Sequence, residues 1–191
     1  MRVLMVAPPG AGKGTQGAVI AEHFHLHRVT IGELLRRHVA DGTELGRRVR
    51  PLVERGELVP DDIVLDLMRE GLLEARALGG GYVLDGVPRT VAQALAAYRV
   101  AHAIGMTADV ALHLSADDEE LVGRLLKRAG IEHRADDNEA VIRQRLRLYR
   151  EVTEPVLAYY ARRGILLTVD AMRPVEVVSA EVLAALEARA G

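Results

Sequence analysis

The stretch RVLMVAPPGAGKGTQ, residues 2–16, decides the fold. It opens as a short apolar run that breaks at Pro8, as a strand does on leaving a sheet. A glycine-rich turn follows, and a helical pattern begins at Thr15. Strand, glycine loop and helix, in that order, are what a phosphate cradle requires. Gly10, Gly12 and Gly14 let backbone amides turn inward and approach phosphate oxygens with no Cβ in the way, and the helix N-terminus adds a favourable dipole. Lys13 supplies a point charge for the oxygens of a transferred group. Thr15 offers a hydroxyl to phosphate or to the shell of a Mg²⁺ ion. The strict pattern GxxxxGK[ST] is not met, because Ala7 stands where its first Gly would be and Gly14 where its Ser or Thr would be. A glycine-rich turn with a solvated lysine is the competing reading, and the strand and helix on either side weigh against it.

Outward from this loop, short apolar runs bounded by Gly, Pro or Asp recur at residues 82–85, 109–114 and 165–170, and a further run at 27–29 predicts a fifth strand. Apolar residues fall at helical spacing over residues 15–24, 90–101, 117–128, 138–163 and 174–190. Strands alternating with helices predict parallel pairing through crossovers, with helices on both faces. The expected fold class is therefore α/β: a P-loop three-layer α/β/α arrangement around a five-stranded parallel sheet. Two charged, Gly-punctuated stretches fit the alternation poorly. Residues 30–60 read as short helices set apart from the sheet, and residues 129–138 as a polar loop between long helices. Both are expected to be mobile insertions in a single domain whose core is residues 1–29, 61–128 and 139–191. No repeat or low-complexity linker divides that domain.

Composition sets further bounds. A chain of 191 residues, 49% hydrophobic, buries one sizeable core and is short for two ordinary domains. With 25 basic and 27 acidic residues, a net charge of -2 argues against coating nucleic acid or an anionic membrane by bulk charge, so any bound anion is met locally. The absence of cysteine removes disulfides and thiolate zinc as sources of stability. The opening is unlike a signal peptide, and no apolar stretch is long enough to span a bilayer, so a cytoplasmic location is expected. Basicity is almost all arginine, Lys13 and Lys127 being the only lysines.

GAGKGTQ, with LVERGELVPDDIV, LDGVPRT and RADDN farther on, keeps the order and spacing of the adenylate kinases, and more broadly of the nucleoside monophosphate kinases, which the chain resembles over essentially its whole length. The resemblance implies a parallel core sheet, a monophosphate-binding insertion at residues 30–60 and a short lid at 129–138, without structural zinc. It also implies a triphosphate loop over Gly10, Ala11, Gly12, Lys13, Gly14 and Thr15, with Arg124 and Arg128 on the triphosphate side. Arg36 and Arg89 fall where the family clamps the phosphate of the monophosphate, and Arg134 and Arg145 where lid arginines close over both substrates. Asp136 and Asp137 match the acidic pair of the lid. Ile31, Leu58, Val59, Gly86 and Gln93 fall in the acceptor-base pocket, and Asp85 is placed to hold water on Mg²⁺. The implied reaction is MgATP + AMP = 2 ADP by a monomer, with Lys13, Arg89, Arg124, Arg134 and Arg145 catalytic. The chemistry is consistent with that set, since phosphoryl transfer is mostly alignment and charge stabilisation and arginine forks bind phosphate oxygens bidentately. An acceptor phosphate is already nucleophilic, so no side-chain base is required.

Four departures bear on specificity: Ile31 in place of Thr, Val87 in place of Phe, Ala7 for the first loop Gly and Ala171 for a Gly after the last strand. A kinase of different base preference, motivated by Ile31, and a catalytically weakened nucleotide-binding paralogue therefore stay open beside the adenylate kinase reading. Gln93 favours AMP over UMP or CMP, whose branch carries Asn there. Gln93 could equally close a Thr-x-x-Gln capping box with Thr90. Asp85 could simply end its strand in an Asx turn, and His23, His25 and His27 read as surface residues rather than a metal tract.

Overall fold

The computed structural model describes residues 1–132 and 138–190. Five strands, β1 (Arg2–Val6), β2 (His27–Thr30), β3 (Tyr82–Asp85), β4 (Val110–Ser115) and β5 (Leu166–Asp170), form one sheet in the order β2-β3-β1-β4-β5. Every pairing is parallel, with Leu4 beside Leu84 on one side and Ala111 on the other. The predicted α/β class and five-stranded parallel sheet are as expected.

Residues alternate between the two faces of β1, and the core divides accordingly. Leu4 and Val6 join one apolar cluster with Leu84, Met68, Leu72, Ala97 and Val156, and Val3 and Met5 join the other with Ile20, Leu112, Leu121, Ile142 and Val182. Helices α2 (Ile31–Ala40), α4 (Asp61–Ala77), α5 (Val91–Ala103) and α8 (Pro155–Arg162) contribute to the first cluster. Helices α1 (Lys13–Phe24), α6 (Asp118–Glu132), α7 (Glu139–Leu148) and α9 (Val175–Ala190) contribute to the second. That is the three-layer arrangement, with strands buried on both faces.

Three local features differ from the sequence reading. Helix α4, which no sequence pattern singled out, buries Ile63, Val64, Leu67, Met68, Leu72 and Ala75 at helical spacing against β2 and α5. The pattern read as one helix over residues 138–163 divides, because Pro155 has no N–H for the ladder and its ring would meet the carbonyl four residues back. A wide π-turn at Tyr149–Thr153 resolves this, with the Glu154 N–H donating to the Tyr149 carbonyl at 2.8 Å. The rod thereby passes from the α7 side of the sheet to the α8 side. Finally, α6 continues to Glu132, into the stretch read as a loop.

Within residues 30–60, α2 packs on α3 (Glu44–Arg55) so closely that a Cβ on Gly46 would fall on the His38 carbonyl. Thr43 caps α3 by accepting the Gly46 N–H at 3.0 Å, and Gly56, at φ 67°, ends it in the left-handed conformation. Ile31 and Leu35 of α2 and Val49 of α3 enter the first core cluster, so this helix pair is anchored on one face.

Candidate active site

The sheet order places β1 between β3 and β4, while the chain runs from β1 to β2 on one side and later returns past β1 to reach β4. Such a reversal opens a crevice at the carboxyl ends of the strands, where ligands of open α/β sheets bind. The residues after β1 and β3 line a cleft of about 690 Å³ at that place. Lys13, Arg36, Arg89, Arg124, Arg128 and Arg145 all border it, in a protein whose net charge is -2. Six of the 25 basic residues thus meet around one cleft.

The loop after β1 shows which glycines the backbone demands. Gly10 and Gly12 lie at φ 86° and 88°, and a Cβ on Gly10 would stand 2.9 Å from Leu125 Cγ. Gly14, within α1, has open space where a Cβ would project, which keeps that part of the cleft clear. Ala7 is not among the positive-φ residues, so the glycine of the strict pattern is not required there. Ala11 differs from its neighbours: it is buried beneath the loop, and its N–H donates to the Pro8 carbonyl at 3.3 Å. Thr15 is exposed at the cleft wall. Gln16, which sequence reasoning left without a role, is buried. Its Oε1 accepts from Ser179 Oγ at 3.1 Å, which ties the loop's helix to α9.

Lys13 folds over its own loop. Its Nζ donates to the carbonyls of Ala7 at 2.7 Å and Pro8 at 3.3 Å, and an ammonium has a third N–H to offer. Removal from water pushes its pKa down to about 8; Asp85 pulls it back up, and Arg89, Arg145 and Arg128 push it further down. Asp85 ends β3 within the cleft, and its Oδ1 is buried without a hydrogen-bond partner. A carboxylate oxygen so placed is costly unless a cation or its water shell meets it.

A smaller cavity of about 70 Å³ adjoins the cleft. Ile31, Val59 and Gln93 line it, while Leu58, Gly86, Arg36, Arg89 and Arg145 border both spaces. Three arginines therefore stand where the two meet. Ile31 and Val59 are otherwise core residues, 1% and 8% exposed. Arg89 is oriented by its Nε, which donates to the Gly86 carbonyl at 3.1 Å. Arg124 is held by Glu120 Oε1 at 3.1 Å and by the carbonyl of buried Ala171 at 3.0 Å. Arg134, Asp136 and Asp137 lie outside the described residues.

Gln93 makes half of the expected capping box. Thr90 Oγ1 accepts the Gln93 N–H at 2.9 Å, but Gln93 Oε1 takes the N–H of Arg89, at 2.7 Å, rather than that of Thr90. The cleft also has a wall that the sequence did not disclose: Leu148, Tyr149 and Thr153, brought round by the π-turn. The Tyr149 hydroxyl meets Nε2 of buried His113 on β4 at 3.2 Å, and burial lowers the His113 pKa, which favours the neutral ring. Among the described residues no group of three or more His, Asp or Glu is placed to hold a metal ion by itself, and no helix is long and apolar enough to cross a membrane.

Comparison with known proteins adds to this geometry. Residues 5–165 match the family model of adenylate kinase. The chain belongs to the adenylate kinase family. It is 44% identical over 190 residues to the adenylate kinase of Thermobifida fusca, covering the whole of both chains. It is 46% identical over 184 residues to that of Thermus thermophilus, covering 96% of each, and 44% identical over 186 residues to that of Kocuria rhizophila, covering 97% of this chain and 98% of the relative. Membership makes the chain a nucleotide-binding P-loop kinase, that is, a phosphotransferase.

Proposed function

We propose that the chain catalyses MgATP + AMP = 2 ADP by direct in-line transfer, the triphosphate lying in the larger cleft and the acceptor base in the smaller cavity. The observation that carries this reading is the junction of the two spaces, where Arg36, Arg89 and Arg145 border both. Charge that develops on the equatorial oxygens during transfer arises at such a junction. Lys13 and the amides of residues 10–15 hold the triphosphate, Arg124 and Arg128 bind its outer side, and Arg36 and Arg89 fix the acceptor phosphate. Residues 30–60 act as the acceptor-binding insertion and residues 129–138 as a short lid, to which Arg134, Asp136 and Asp137 belong. The chain is proposed to act as a monomer on these small nucleotides.

The donor set suits Mg²⁺, because the partnerless oxygen of Asp85 and the exposed hydroxyl of Thr15 offer the hard oxygens this ion takes beside phosphate and water. When bound, the ion neutralises charge on the phosphates. A phosphotransfer panel of AMP, GMP, CMP, UMP and dTMP with MgATP tests the assignment of acceptor. AMP is expected to dominate, and a preference for another base would make Ile31 the mark of a specialised relative.

Lys13 also predicts a pH dependence. Its lowered pKa means that the folded protein loses this charge as pH rises through about 8. An incoming polyanion favours the charged form, so ATP binding takes up a proton above pH 8 and almost none at pH 6.5. Calorimetry at pH 8.5 in buffers of different ionisation enthalpy reads that uptake. Affinity that stays constant from pH 7 to 9.5 with no uptake would remove Lys13 from the phosphate site.

A further inference from the structure

The side chain of Gln93 is 1% exposed and borders the smaller cavity. Its Oε1 accepts from the Arg89 backbone N–H at 2.7 Å, and its Nε2 donates to Asp61 Oδ1 at 2.6 Å. Asp61, the first residue of α4, does not line either space. These two partners fix which end of the amide is which: a backbone N–H can only donate and a carboxylate can only accept. Turning the amide over would set Oε1 against the carboxylate and Nε2 against the N–H. Both contacts would then be like with like, and although Asp61 is exposed, Gln93 is 1% exposed, so the turned amide has little water to replace the partners it loses.

We propose that Asp61 is a positioning residue for acceptor choice, locking the Gln93 amide in the one orientation that suits a 6-amino purine. The inference rests on the reading of the smaller cavity as the base site. With one contact made at each end, Oε1 retains one lone pair and Nε2 one hydrogen. Adenine presents an amino donor at position 6 beside an acceptor at N1, which matches an acceptor and a donor in that order. Guanine and hypoxanthine reverse both, with an oxo acceptor at position 6 and a protonated N1. An amide free to turn would serve either edge, whereas a locked one rejects the reversed edge.

IMP is the sharper probe, because it differs from AMP only at position 6 and N1. The experiment measures kcat/KM for AMP, IMP and GMP, together with KM for ATP, in the wild type, Asp61→Asn and Asp61→Ser. Both replacements can donate as well as accept, so both remove the Asp61 half of the lock and leave the Arg89 N–H as its other half, and the second guards against one of them failing to fold. The wild type is expected to favour AMP over IMP. Each variant is expected to lower that ratio at least tenfold, with KM for ATP within about twofold of wild type. A role for Asp61 confined to the start of α4 would lower Tm and leave the ratio unchanged. An unchanged ratio in the variants, with a wild type that discriminates, overturns the role of Asp61 alone. A wild type that does not discriminate overturns the base-site reading and the lock with it.

Discussion

Lys13→Met is expected to lower kcat for phosphoryl transfer by about 10²–10³-fold, the scale on which removal of one preorganised charge acts in such sites. On the proposed reading the effect falls on the transition state, because the phosphate oxygens would gather charge beside this ammonium. Methionine keeps most of the stem, so the packing around the loop persists. Two opposing terms act on stability: the carbonyls of Ala7 and Pro8 lose a donor, and the protein no longer carries an ammonium withdrawn from water. Each is on the order of 1 kcal/mol in either direction, so Tm should move by only a few degrees. Initial-rate kinetics with a parallel thermal melt checks both halves. Wild-type turnover in a folded variant would show that the loop does not hold the transferred group.

Arg89→Lys is expected to reduce kcat by about 10²-fold and to raise KM for AMP more than KM for ATP. The charge survives this substitution but the planar fork does not, and lysine cannot reproduce two parallel bonds to a phosphate. Arg89 borders both the cleft and the smaller cavity, and its plane is set by the bond from Nε to the Gly86 carbonyl. Lysine has no donor at that point along its stem, so its ammonium would be steered by length alone. A variant that keeps full kcat and an unchanged KM for AMP would place the acceptor phosphate elsewhere.

Much of the sheet was legible because four of the strands are short apolar runs closed by Gly, Pro, Asp or a polar residue; β2, with Val29 as its one aliphatic residue, is the exception, yet all five strands fall within a residue or two of their expected places. The phosphate loop was legible for a related reason, since its glycines, lysine and following helix are contiguous in sequence. Strand order was not, because nothing local to β4 says that it crosses β1 to pair on the far side. Helix α4 has regular apolar spacing, but its first turn, residues 61–64, is also the end of the motif LVERGELVPDDIV, so the helix carries no separate boundary signal in the sequence. The break near Tyr149 follows from Pro155, whose missing N–H could have been weighed against the long helical pattern. Contacts made across the fold left no such local mark: Gln93 with Asp61, Tyr149 with His113 and Gln16 with Ser179 are separated by 32, 36 and 163 residues. The same holds for the departures. Ala7 occupies a position with no positive φ, while Val87 and Ala171 are buried in the core, so at these places substitution alone did not disclose whether the site had changed.

What most needs testing is that the phosphoryl group passes from ATP to AMP, with both nucleotides held in adjoining spaces, and not to water. The most direct test follows ATP labelled at the γ-phosphate in the presence of Mg²⁺ and AMP. One ATP and one AMP consumed for two ADP are expected at early times, with the label in the β-phosphate of half the ADP and almost none as inorganic phosphate. Release of labelled inorganic phosphate at a rate indifferent to AMP would contradict it.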